Sequence, residues 1–317
     1  MNRARPGPSP VERVSSEHPD GPEWRADAMA QSRHTRLDDV LLEPMVDRDL
    51  ERATILCAEV TRRCLGDFAP ALMLLPAPER RRVQALAAFG STLFDFARQS
   101  SLDGEKLAQI NRWHFDLELT LEGAPPGQPI FVLLAAVHAE RPWPEPALDA
   151  LVGCAHRRAV RQRPDSAASA ESDALRLAQA LSAALVPGHE SETAPLLAAL
   201  LRVDRLLALG QDQGRHQAGL PADELPESWS TAAERTESDV EAAIGLECER
   251  LVAVLGAVGD LKGLPAPWRR TLSYGVLAGR RLVARVAKLG SATLANPPHL
   301  GIGERLTLLL RCRILPL

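Results

Sequence analysis

From Asp47 onward, apolar residues recur at three- and four-residue steps, and that spacing restricts this chain to helices. The intervening positions are mostly Ala, Leu, Arg and Glu, all good helix formers. The periodicity predicts helices over Asp47 to Arg63, Pro78 to Gln99, Ser101 to Glu122, Ile130 to Glu140 and Pro146 to Gln162. Further on it predicts Asp173 to Leu185, Ser191 to Leu209, Thr231 to Val258, Trp268 to Leu289 and Gly303 to Ile314. Val and Ile are scattered without sustained alternation, so no strand is expected. Pro- and Gly-rich stretches such as GAPPGQP and RPWPEP break the pattern as loops rather than as domain boundaries. The expectation is an all-α domain over residues 46–317. Residues 1–45 are polar and Pro-rich with no apolar h-region, so a disordered arm is expected there and not a signal peptide.

Composition narrows the function. The net charge of −4 argues against a general nucleic-acid binder, and the 4% aromatic content argues against a base-stacking surface. The five cysteines (Cys57, Cys64, Cys154, Cys248 and Cys312) include no C-x-x-C pair, so neither a disulfide framework nor a zinc site is expected. They read as small buried hydrophobes in a reducing cytosol. The longest apolar stretch, Ile130 to Val137, falls far short of the roughly 18 residues of a membrane span. His114, His156 and His216 show no metal-ligand spacing, and no serine sits in a G-x-S-x-G elbow.

Several segments, in order, resemble the squalene/phytoene synthase family. FAPALMLLPAPERRRVQALAAFGSTLFDFARQ (Phe68 to Gln99) is similar to the family's "LLLP…KRRA…ALYAFCR…DD…D" pattern. INRWHFDLELTLEGAPPGQPIFVLL resembles its Trp-containing helix and Gly-Pro turn. LDALVGCAHRRAVRQRP resembles "LIDAFRQDVxxxRY". LLAALLRVDRLLALGQDQGRHQAGLPADEL resembles "ALQLTNILRDVGEDxRRGRIYLPxxEL", and IGERLTLLLRCRIL fits the family's C-terminal part. The likeness runs over about residues 50–315. It implies the all-α isoprenoid synthase fold, a helical bundle around a central cavity. Active members condense two prenyl diphosphates with Mg²⁺, and squalene-forming members also use NADPH.

That chemistry needs paired carboxylates. The departing diphosphate is neutralised by Mg²⁺, which takes carboxylate, phosphate and water oxygens. Carboxylates three or four residues apart share one helix face. The chain departs from this pattern twice. The family's "DDxxD" falls on Phe94, Asp95, Phe96, Ala97 and Arg98, which keeps one aspartate and ends on an arginine. The family's "DxxxD" falls on Ala208 to Asp212, which keeps only Asp212. "GRIYLP" becomes HQAGLP, the arginine of "AFCR" becomes Ser91, and the aspartate of "RQD" becomes Arg158.

Asp95, Arg98, Asp212 and Arg215 are therefore the candidate phosphate-binding residues, with Asp95 and Asp212 the remnant metal ligands. Other roles stay open for three sets of residues. Asp95 suits an ion pair with an arginine of a facing helix. Asp212 suits a helix cap. Asp204 and Arg205 suit either a cavity or structural ion pairs. Arg80, Arg81 and Arg82 are expected to form a solvated face, and Arg157, Arg158, Arg161 and Arg163 a charged outer face.

The resemblance implies a catalytically impaired family member with a prenyl-diphosphate-type pocket, acting in binding or assembly. Some eukaryotic relatives serve respiratory-complex assembly. The alternative is an active head-to-head prenyltransferase with a rearranged Mg²⁺ site that uses Asp95 and Asp212 together with Glu118 or Asp116. A third reading is a helical interaction module. NADPH is not supported by the residues. The expected partners are an isoprenoid lipid or a protein, not nucleic acid. The expected location is cytoplasmic, with peripheral contact to the inner membrane where prenyl lipids partition.

Overall fold

The computed structural model describes residues 42–99, 101–160, 166–210, 220 and 237–317. Among them are ten α-helices and no strand. α1 spans Leu42–Leu65, α2 Ala77–Arg98, α3 Asp103–Leu121, α4 Pro129–Glu140 and α5 Glu145–Ala159. α6 spans Ala167–Leu185, α7 Glu190–Leu207, α8 Glu237–Gly256, α9 Ala266–Leu289 and α10 Ile302–Ile314. A 3₁₀ segment, Gly66–Leu74, follows α1, and a shorter one, Gly290–Leu294, follows α9.

The helix ends follow local chemistry. α2, α4, α5 and α9 each carry a proline in the first turn, where its missing N–H costs nothing. The Gly66 backbone, at φ +48°, breaks α1 and turns the chain into the 3₁₀ segment. The Ser166 hydroxyl accepts the Ser169 N–H at 3.2 Å and starts α6 six residues before the expected Asp173. The apolar spacing weakens over Ala167 to Ser172, so the cap and not the pattern sets that boundary. At α10, the Glu304 carboxylate accepts the Gly301 N–H at 2.8 Å.

Two apolar cores organise Val46–Leu317. The first gathers Phe89 and Leu93 of α2, Ile110 and Leu117 of α3, and Phe131, Leu133 and Leu134 of α4. α2 runs through it, packed on α3, α4 and α5. The second gathers Tyr274, Leu282 and Val283 of α9 with Val203 and Leu206 of α7, Leu251 and Leu255 of α8, and Leu308 of α10. α6 and α7 meet along Ala174, Ala178, Ala194 and Ala198, whose small side chains permit close approach. Gly210, just past α7, is a fixed choice. A Cβ there would lie 1.8 Å from the Leu294 carbonyl oxygen.

Three charged side chains tie these layers together. Arg82 corrects the expected solvated face of Arg80 to Arg82. It is buried, donates to the carbonyls of Ala184 (2.7 Å), Arg141 (2.6 Å) and Pro142 (3.2 Å), and lies over the Trp143 ring. Burial, with Arg141 nearby, pushes its guanidinium down to about 10. Asp67 of the 3₁₀ segment has a side chain only 2% exposed. Arg305 of α10 lies 2.6 Å from it, and His299 lies 3.4 Å away. The Tyr274 hydroxyl donates to the Asp67 carbonyl at 3.0 Å, and burial pushes the phenol up to about 12.

No helix among the described residues is long and apolar enough to cross a membrane.

Candidate functional site

The sequence singled out one face on α2 and one at the end of α7. On α2, Ser91, Asp95 and Arg98 fall four and three residues apart, so they share a face. On α7, Asp204 lies in the last turn, and Ala208 follows as the C-terminal cap. The Cys64 thiol lies at the end of α1. Its pKa is pushed up to about 11, first by burial and then by the negative field of Asp204. Asp95 pushes it further the same way, while a hydrogen bond with Ser91 opposes the rise.

Within that face the remaining charges are paired. The Arg98 guanidinium lies 4.0 Å from the Asp95 carboxylate on the same helix, not on a facing one. The Asp95 side chain is 70% exposed and the Arg98 side chain 21%. Arg158 of α5 places its guanidinium 5.8 Å from the centre of the Phe94 ring, a cation–π contact from the position where the family carries an aspartate. Behind them, Phe96 meets Trp113 edge-on at 5.6 Å, and Trp113 meets Phe131 at 4.5 Å.

A second, arginine-rich cleft lies beside α7. Arg202, Arg205, Leu206, Leu209, Ala170 and Glu247 line it. Arg202 donates twice to Glu247, at 2.9 and 2.8 Å, the fork-on-carboxylate geometry that arginine favours. Glu171 stands 4.0 Å from Arg202, and Arg250 stands 3.7 Å from Glu247. Burial lowers the pKa of the Arg205 guanidinium, and Arg158 pushes the same way. Cys154, Asp173 and Glu247 oppose them. The free space in this cleft is about 10 Å³, roughly what one water needs, so it admits no prenyl chain. Asp204 is exposed, and Arg205 interacts with Asp173 and Glu247, which are residues of other helices.

The remaining candidates are spread out. Arg157 pairs with Asp173 at 3.8 Å. Glu118 faces His114 at 3.6 Å, and His114 also faces Asp149 at 3.5 Å. His156 shares a 2.7 Å hydrogen bond with Asn111, and burial lowers its pKa. Asp212, Arg215, Arg161, Arg163 and His216 lie outside the described residues, as do residues 1–41 of the arm expected over residues 1–45, whose last four residues open α1. Sequence reasoning gave no signal for Cys64 beyond a buried thiol. The influence of Asp95 and Asp204 on it arises only in the folded chain.

The donor set does not fit a Mg²⁺–diphosphate centre. Among the described residues no group of three or more His, Cys, Asp or Glu could hold a metal. Arg98, held against Asp95, supplies positive charge where the metal would have to supply it.

Comparison with known proteins is consistent across methods. The family model described as squalene/phytoene synthase matches residues 61–304. A crystal structure of a dehydrosqualene synthase in complex with ligand superposes with a TM-score of 0.70 and 16% identity. That match covers 85% of this chain and 98% of the other. The crystal structure of the squalene synthase HpnC from Alicyclobacillus acidocaldarius gives 0.62 and 19%, covering 79% of this chain and 97% of the other. No curated protein matches the sequence.

Proposed function

Because the chain belongs to the squalene/phytoene synthase family and has the all-α isoprenoid synthase fold, we propose that it is a member without normal synthase catalysis. In this reading it keeps a site for a prenyl-diphosphate-type ligand and works by binding or assembly. The observation that carries the reading is the Asp95–Arg98 pair at 4.0 Å, where the family chemistry needs a second carboxylate on the helix face. Ser91, one turn earlier, adds a hydroxyl and no charge. An ionising allylic diphosphate leaves negative charge behind. Here the nearby cations are guanidiniums, Arg98 on α2 and Arg158 on α5. Guanidinium binds phosphate through paired N–H donors without a metal, and it holds an anion without drawing it off a substrate the way a metal cluster does.

The test is a calorimetric titration of a farnesyl thiodiphosphate analogue into the full chain, with and without Mg²⁺. The expected affinities agree within about twofold, and Arg98→Ala weakens binding about tenfold, the scale of one lost charge-assisted contact. Farnesyl diphosphate with Mg²⁺ should give no squalene-type product. Binding that requires Mg²⁺, together with turnover at ordinary synthase rates, would overturn the reading.

One observation favours a second reading. Asp95 and Asp204 both push the pKa of the Cys64 thiol up. An active prenyltransferase would have to build its site from these two and Asp212. Loss of turnover in Asp204→Asn would identify it.

A further inference from the structure

Among the described residues, nothing covers one apolar face of α10. Ile302, Leu306, Leu310 and Ile314 follow one another at four-residue steps, so they form a single stripe along the helix. Their exposures run from 55% to 78%, and Leu315 beyond the helix is 73% exposed. The opposite face is fixed. Leu308 and Cys312 are buried in the core of α9, and Arg305 is held by Asp67. The helix therefore cannot roll to hide the stripe without breaking that core. Met73, on the 3₁₀ segment that packs against α10, is 72% exposed as well.

Charge at the stripe is one-sided. Arg311 and Arg313 are exposed at the C-terminal end of the helix. The one acid of α10, Glu304, is already engaged. It lies 2.6 Å from Arg285 and 3.9 Å from Arg281, and it accepts the Gly301 N–H. These ties hold its carboxyl below the usual range. An aliphatic stripe bordered by uncompensated arginines has the chemistry of a helix that lies in a bilayer interface. The aliphatic side chains enter the acyl boundary and the guanidiniums meet anionic headgroups. A protein partner would more often call for aromatic anchors at the centre of such a face, and this stripe holds only Ile and Leu.

We propose that α10 docks this protein onto anionic lipid bilayers, with Ile302, Leu306, Leu310 and Ile314 inserted and Arg311 and Arg313 on the headgroups. The inference is independent of the ligand reading. It rests on a different helix, and either can fail alone.

The test is flotation of the full chain with phosphatidylcholine vesicles, with and without roughly 30% phosphatidylglycerol, at low and at physiological salt. The native chain should float with the anionic vesicles and bind neutral ones at least about tenfold more weakly. Leu306→Ser with Leu310→Ser should lower binding tenfold or more while leaving circular dichroism and Tm unchanged, because both side chains are already in water. Arg311→Gln with Arg313→Gln should lower the preference for anionic vesicles and leave weak apolar binding. Three results would each overturn the proposal. One is no flotation with anionic vesicles even at low salt. Another is flotation unaltered by the double serine change. The third is a concentration-dependent dimer in light scattering that the double serine change dissolves, since that would assign the stripe to a second copy of the chain.

Discussion

The two ends of α2 treat charge in opposite ways. At the N-terminal end, Arg82 is buried with three carbonyl acceptors and an aromatic ring against it. At the C-terminal end, Asp95 is largely in water, with Arg98 4.0 Å away. The first arrangement holds α2 to the chain on either side of α5, and Arg141 adds a 3.4 Å hydrogen bond to the Ala184 carbonyl. The second leaves its carboxylate in water. A helix face whose charges are not needed for folding is free to change residue by residue, and this is the face where the family pattern has been lost.

That contrast orders the expected effects of substitution. Arg82→Ala should be the most damaging, by about 4 kcal/mol in urea denaturation, because it strands the carbonyls of Arg141 and Pro142 and leaves Ala184 only the longer bond from Arg141. A loss under about 1 kcal/mol would mean that water replaces the guanidinium, and the contrast would collapse. Asp67→Asn should cost about 2 kcal/mol, below the usual range for a broken buried pair because Arg305 is partly exposed. Tyr274→Phe should cost about 1 kcal/mol for its single hydrogen bond to the Asp67 carbonyl. Asp95→Asn should stay within about 0.5 kcal/mol, as expected of a solvated pair.

The finest test concerns Cys64. Its thiol keeps its proton to about 11 in the folded chain, against an ordinary value of 9.0. Between those values the unfolded chain binds fewer protons than the folded one. The contribution is therefore fully present below pH 9 and is lost as pH rises through about 11. Labelling of this thiol by a disulfide reagent should stay slow at pH 8 and accelerate above pH 9. Ser91→Ala should move that onset up and Asp95→Asn should move it down, since the two neighbours act in opposite directions.

The helices were legible because their pattern is local. The spacing predicts Trp268 to Leu289 and Ser191 to Leu209, and the helices span Ala266–Leu289 and Glu190–Leu207. The all-α class and the family resemblance rest on the same local signals. What was hidden depends on distant partners. Three consecutive arginines look alike in sequence. Only the carbonyls of Arg141, Pro142 and Ala184, between 59 and 102 residues away, select Arg82 for burial. Asp67 gave no signal, since its partners Arg305 and His299 come from the far end of the chain. The loss of the aspartate motifs was legible at once. The influence of Asp95 and Asp204 on the Cys64 thiol was not, because it arises only in the folded chain.

The hydrogen bond from Tyr274 to the Asp67 carbonyl joins residues 207 apart, and the one from Thr271 to the Ala71 carbonyl joins residues 200 apart. Closing a loop of that length costs about 5 kcal/mol of chain entropy, so this docking belongs late in folding, after the neighbouring helices have paired. On the ribosome the delay has a clock. At about 5–20 residues per second, the Gly66–Leu74 segment waits on the order of 10–40 s for α9 to emerge. Throughout that interval Asp67 lacks its counter-charge and Ala71 its cover, so this short segment is where a nascent chain would first need shelter.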